Sequence, residues 1–300
     1  MVRLHGIRAR EARAFYLMIA PWALGFLLFT IGPIVAAFYF SFTKYDIMSP
    51  PVFVGLDNFK ELVRDPLFLK SMANTLYFVV VLVPATIILC FALALLLNEK
   101  VRGLPVYRTV YYLPSIVPFV ATSILWMWLL QPQFGLVNGA LRAIGINPPN
   151  WLASEVWSKP ALVLMLLWGS GNTMLIYLAG LQGVPQSLYE AAEIDGANRL
   201  SRFRHVTLPL MTPTMFFTLT IGIINTFQVF TIVYVITGGM GGPLDSTLVY
   251  LLYLFRQGFV YFRMGYASAM ALVLFVIILA MTAVQFALAP IWVYYEVERR

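Results

Sequence analysis

Six stretches of this chain contain no Asp, Glu, Lys or Arg: Phe15–Phe42, Asn74–Leu97, Tyr111–Leu130, Pro160–Leu181, Thr214–Ile236 and Ala267–Tyr294. Each reaches the roughly 20 apolar residues that a helix needs to cross the hydrocarbon core of a bilayer. In lipid a spanning backbone must satisfy its own hydrogen bonds, which leaves helices or a closed barrel. Runs of this length predict an all-α membrane protein with six transmembrane helices, a short segment over 1–14, the membrane domain over 15–294 and a tail over 295–300. Only 11% of the 300 residues are charged, against about 25% in soluble domains.

The first run is read as a retained helix. At about 28 residues it far exceeds the roughly 7–15 of a secretory h-region, it contains Pro21 and Pro33, and no small-x-small cleavage site precedes the polar stretch. Trp22, Trp126, Trp128, Trp157 and Trp292 fall near the proposed ends, where an interfacial aromatic belt is expected.

Lys and Arg set the orientation. Twelve of the 20 fall in the N-terminal segment, the second and fourth connections and the tail, including Arg3, Arg8, Lys100, Arg108, Arg199, Arg204 and Arg300. The other connections hold eight on longer loops, and the first of them offsets its cations with Asp46, Asp57, Glu61 and Asp65. Both termini are therefore expected in the cytoplasm. The net charge of +7 is read as a topology signal, with no nucleic acid as partner.

Charge-free spans argue against a proton-coupled carrier, whose relays are ionisable residues at membrane depth; an ion-coupled secondary carrier using carbonyls and hydroxyls stays the alternative. No span carries a catalytic carboxylate pair, a zinc spacing or a Gly-x-Ser-x-Gly elbow, so no catalytic residue and no metal site are assigned. Cys90, the single cysteine, has no disulfide partner in the chain, and His5 and His205 are too few for a histidine-rich metal site. "TGGMGGP" (237–243) lacks the Gly-Lys-Ser/Thr ending of a phosphate loop and is read as a flexible turn capping the fifth helix.

Between the fourth and fifth runs lies a polar passage, "LYEAAEIDGANRLSRFRHVTLPLMTP" (188–213). Ser187 and Glu190 have the spacing of a capping box, and Gly196 suits the left-handed position after a helix end. Leu188, Ala192 and Asp195 share one side of that helix, Ala191 and Ile194 another. Its apolar stripe is narrow and both charge signs alternate, which suits a protein partner better than lipid headgroups. Leu208-Pro209 and Pro213 are expected to bend the chain into the fifth span. The phrases "YRTVYYLPSIVP" (107–118) and "FRHVTLPLMTP" (203–213) echo one another, and both read as bent approaches to a helix.

Glu190-Ala191-Ala192, then Gly196, then Val206-Thr207-Leu208-Pro209 resembles the cytoplasmic signature of binding-protein-dependent ABC permeases. "FVGLDNF" (53–59), "LALLLNEKVRG" (93–103), "YYLPSIVP" (111–118) and "VITGGMGGP" (235–243) are similar to the carbohydrate branch, the maltose, glycerol-phosphate and lactose type. The resemblance implies a multi-pass permease in the inner membrane of a prokaryote. It implies a coupling helix in which Glu190, Ala191, Ala192, Asp195 and Gly196 meet an ATPase. It further implies a heterodimer with a second related permease, two ABC ATPase subunits that bind ATP and Mg, and an extracytoplasmic solute-binding protein. No cofactor is expected in this chain.

A sugar needs amides, hydroxyls and aromatic faces. The spans concentrate these at "WGSGNT", with Trp168, Ser170, Asn172 and Thr173, and at "NTFQVF", with Asn225, Thr226 and Gln228. Polar side chains at membrane depth are expected to face the bundle interior. Packing between helices, with Gly169 and Gly171 as points of close approach, is the competing reading.

Overall fold

The computed structural model describes the backbone over residues 2–99 and 102–294. The tail at 295–300, with Arg299 and Arg300, and Lys100 lie outside the described residues. The described residues are mostly helical, and the chain falls into two compact units, the first being the chain through Arg64 with Gln257–Val273.

In the first unit, α1 (Val2–Phe26), a π-helical turn (Leu27–Ile31) and α2 (Gly32–Ser41) form one unbroken rod. The rod is exposed around almost its whole circumference from Glu11 to Tyr39, the arrangement of a helix apolar on all sides whose surroundings are lipid. Two short antiparallel strands follow, β1 (Thr43–Lys44) and β2 (Val52–Phe53), then α3 (Asp57–Arg64). "FVGLDNF" has a structural purpose here. Gly55 takes φ +60°, and the buried Asn58 amide donates to Ser41 O and Thr43 O, both at 2.9 Å. Arg263 grips both oxygens of Glu61 at 2.7 Å.

The second unit begins with α4 (Pro66–Asn98), whose 33 residues extend about 50 Å. There follow α5 (Leu104–Tyr112), α6 (Phe119–Leu129), α7 (Leu136–Ala143), α8 (Ser158–Trp168), α9 (Gly171–Gln182), α10 (Gln186–Ile194), α11 (Arg199–Arg202), α12 (Leu208–Phe227), α13 (Thr231–Thr237) and α14 (Tyr250–Phe255). The final helix, α15 (Met264–Trp292), supplies residues to both units.

Among the described residues, four helices are long and apolar enough to cross a membrane: Glu11–Ser41, Pro66–Asn98, Arg199–Thr237 and Met264–Trp292. Two further candidates are bent pairs. The expected third span is broken by 102° between Leu104–Ile116 and Phe119–Leu129, leaving α6 with 11 residues, about 17 Å of a core some 30 Å thick. The fourth bends by 48° between α8 and α9, at Gly169-Ser170. The fifth is interrupted at Gln228–Phe230, where Phe230 leaves the helical region at φ −142°, ψ −64°.

Three local expectations are refined. Pro209 and Pro213 do not interrupt the helix. A π-helical turn over Phe203–Thr207 leads directly into α12, with Pro209 in its first turn and Pro213 within it. A wide i→i+5 turn adjoins the point where proline has no N–H to give. Trp126 packs inside the protein rather than facing outward: it is 7% exposed and meets Trp168 edge to face at 5.9 Å. "TGGMGGP" caps α13, with Gly238 left-handed, yet it is anchored rather than loose. Asn74 donates to Asp245 O and Leu248 O at 2.9 Å, and Thr247 Oγ1 donates to Gly241 O at 2.9 Å.

Candidate functional site

The polar passage folds as a helical hairpin. The helix α10 starts after Pro185, whose φ −60° and ψ 126° place it ahead of the first turn, so Ser187 sits inside the helix and makes no cap. The expected capping box is therefore not formed: the fixed φ of proline suits the edge of a helix, and the start moves two residues earlier. Its end is as read. Gly196 has φ +79°, Gly196 N donates to Glu193 O at 3.0 Å and Ala197 N to Ala192 O at 2.9 Å, the paired bonds of a Schellman motif. Asn198 then caps α11 by accepting from Ser201 N at 2.8 Å.

Two bridges hold the hairpin closed. The hydroxyls of Tyr189 and Thr207 lie 3.0 Å apart, and Arg202 Nη1 donates to Glu193 Oε2 at 3.1 Å. Glu190, Ala191 and Asp195 are left exposed, with Ala192 half-buried. Ile194 and Leu200 project as apolar knobs, 87% and 73% exposed.

The second constellation lies along α9, α12 and α13. Thr173 and Asn225 line one narrow groove with Thr86 and Thr218. Asn225 and Gln228 line an adjoining one of about 390 Å³ with Phe119, Phe230 and Thr231. Asn172 lines a third of about 310 Å³, which shares Phe119, Leu166 and Ile232 with the second. Four of the seven residues expected to bind solute thus border neighbouring grooves.

The other three do not join them. Thr226 is buried and spends its hydroxyl on Gly222 O at 2.7 Å. Ser170 donates to Leu167 O at 2.6 Å and accepts from Cys90 at 3.2 Å. Trp168 lines a separate, mainly apolar cavity beside Trp126. The packing reading holds for Gly171, where an added Cβ would lie 2.7 Å from Tyr111 O, but not for Gly169, whose nearest atom would be at 3.7 Å.

Sequence reasoning missed Thr86, Thr122, Thr218 and Thr231 in these walls. A hydroxyl inside an apolar run was the available signal, and it recurs at Thr86 in α4 and Thr218 in α12. It does not discriminate by itself, because Thr220 and Thr226 follow the same rule and bond their own helix.

A helical body with broken spans, hydroxyl- and amide-lined grooves and a braced polar hairpin defines a membrane transport component. The chain belongs to the family of binding-protein-dependent transport system inner membrane components, matched over residues 83–292. It is similar to the probable ABC transporter permease YesP of Bacillus subtilis, 43% identical over 96% of this chain and 94% of that one. The arabinooligosaccharides transport system permease AraP of the same organism is 35% identical over 91% and 88%. In fold it resembles a chain of a bacterial ABC transporter involved in import of the acidic polysaccharide alginate, with TM-score 0.81 at 24% identity over 96% and 98%. The protein is thus an ABC transporter permease, a multi-pass membrane component and not an enzyme, which sets aside the self-sufficient carrier.

Proposed function

We propose that this chain is one permease subunit of an importer for a sugar, oligosaccharide or sugar derivative delivered by an extracytoplasmic binding protein. The observation that carries the reading is the braced hairpin. Its two internal bridges hold it folded, while Glu190, Asp195, Ile194 and Leu200 stay exposed and offer charge and apolar knobs to a partner. A pair of ABC ATPases binding ATP and Mg would supply that partner, with α10 as the coupling helix in a groove of the ATPase. Gly196 would set the turn, and the alanines would permit close approach.

On this reading the two bent pairs are the third and fourth of six spans, residues 1–14 and 295–300 lie in the cytoplasm, and the permease domain runs over 15–294. A second related permease would complete a heterodimer. Asn172, Thr173, Asn225 and Gln228 would meet the solute, whose hydroxyls need amide and hydroxyl partners. Carbohydrate is favoured because AraP is named for arabinooligosaccharides.

Purification of the complex from its native membrane, followed by mass spectrometry of what accompanies it, tests the assembly. A second permease, a binding protein and an ATPase are expected, with the ATPase lost in Glu190→Lys. A lone homo-oligomer unaffected by that substitution would overturn the reading. Uptake of tritiated arabinotriose, maltose, lactose and glycerol 3-phosphate into proteoliposomes then tests the solute. Asn225→Leu with Gln228→Leu is expected to abolish uptake of whichever is imported while leaving assembly intact.

A further inference from the structure

The helices on either side of the hairpin, α9 and α12, run antiparallel with an unusually specific seam. Thr173, Tyr177 and Gly180 recur on one face of α9 at i, i+4 and i+7; Met211, Thr214, Thr218 and Asn225 recur on one face of α12 at i, i+3, i+7 and i+14. At the hairpin end the backbones close in, since a Cβ added to Gly180 would lie 2.9 Å from both Met211 Cε and Thr214 Oγ1. Midway, the hydroxyls of Tyr177 and Thr218 lie 2.5 Å apart, with Tyr177 fully buried and Thr218 6% exposed. Thr218 already donates toward Thr214 O at 3.0 Å and Met215 O at 3.1 Å, so the proton in this bridge is donated by Tyr177. At the far end the same two faces open into the groove bordered by Thr173, Thr218 and Asn225.

We propose that α9 and α12, zipped by the Tyr177–Thr218 hydrogen bond and the Gly180–Met211 contact, form one rigid lever that carries displacement of the hairpin to the solute groove, with Tyr177 as a positioning residue. The physical reason is directional. Apolar contacts between helices in lipid permit sliding, because lipid tails match side chains in polarity. A buried hydroxyl pair resists it, because slippage leaves the phenol unpaired in a medium without water. The Tyr189–Thr207 bridge reaches the residue just before α12 and so ties α10 to the same lever, while Arg202–Glu193 keeps the hairpin folded. The inference rests on the coupling role proposed above.

The test uses the whole complex from native membranes, in a Cys90→Ala background, with nitroxides at Leu200→Cys on the hairpin and Ile176→Cys beside the groove. Pulsed spin-label distances are compared between the nucleotide-free state and the state trapped with ATP and vanadate. The parent distance is expected to stay constant between states. In Tyr177→Phe and in Thr218→Val it is expected to shift by about 2 Å or more, the scale of a helix sliding past its neighbour. Thr218→Ser, which keeps the acceptor, should restore constancy. A parent distance that already changes with nucleotide would overturn the lever, and so would constancy in both Tyr177→Phe and Thr218→Val. Failure of the coupling role shows separately, as a Leu200 label whose mobility is unaltered by stripping the ATPase with urea.

Discussion

Two segments of this protein carry the same punctuation and fold in opposite ways. Leu113-Pro114-Ser-Ile-Val-Pro118 follows an aromatic-Arg-x-Val start and breaks the chain by 102°. Leu208-Pro209-Leu-Met-Thr-Pro213 follows a similar start and continues as one helix. Proline disfavours helical geometry in the residue before it. Val117 obeys, at φ −70° and ψ 129°. Thr212, also β-branched and also before proline, stays helical, donating to Pro209 O at 2.6 Å and accepting from Tyr294 N at 2.8 Å.

What separates them is packing. Met211 is fully buried in a cluster with Cys90, Phe91, Met174 and Tyr177, so keeping α12 unbroken gains apolar burial and dispersion contacts. Ile116 is 61% exposed, so its burial adds little to offset the cost of keeping that segment helical. The bent segment is instead clamped by its backbone, where Gly171 admits Tyr111 O and Tyr112 Cα.

Four substitutions bear on that contrast. Gly171→Ala should have the largest effect, about 3 kcal/mol of destabilisation, because its Cβ meets backbone that cannot move aside; thermal inactivation in detergent reads it, and a neutral result would show that the bend is not pinned there. Gly180→Ala should cost less, about 1.5 kcal/mol, since the Met211 side chain can yield. Thr212→Val should lose about 0.5–1 kcal/mol and raise hydrogen exchange at Tyr294 specifically. Pro209→Ala should be smallest, within about 0.5 kcal/mol, with the helix unchanged by spin-label distances across residues 203–217. A new break in that variant would mean the prolines, not the packing, keep the helix continuous.

Long, one-character features were legible. The outer spans emerge as Glu11–Ser41 and Met264–Trp292 and the second as Pro66–Asn98, because a charge-free run of this length has no other stable state in lipid. Gly196 was legible because a left-handed helix terminus has few other residues to choose from. The capping box at Ser187 was misread because Pro185 competes for the same helix end. The break at Gln228–Phe230 had no signal, since no Gly or Pro marks it. Among the residues expected to bind solute, Asn225 and Gln228 stand out in the sequence as amides in oil, and they line one groove. Ser170 and Thr226 looked equivalent, yet their hydroxyls are spent on nearby carbonyls.

Hydropathy and charge alone determined that this chain is a bundle of membrane helices with a polar hairpin between the fourth and fifth runs. Both properties act residue by residue against lipid and water. Tertiary structure alone decided where three of the runs break, which proline pair interrupts its helix and which polar groups line grooves. Those outcomes depend on neighbours distant in sequence, as Met211 on Gly180 and Thr212 on Tyr294, and a proline or a threonine is identical in sequence whichever neighbour it meets.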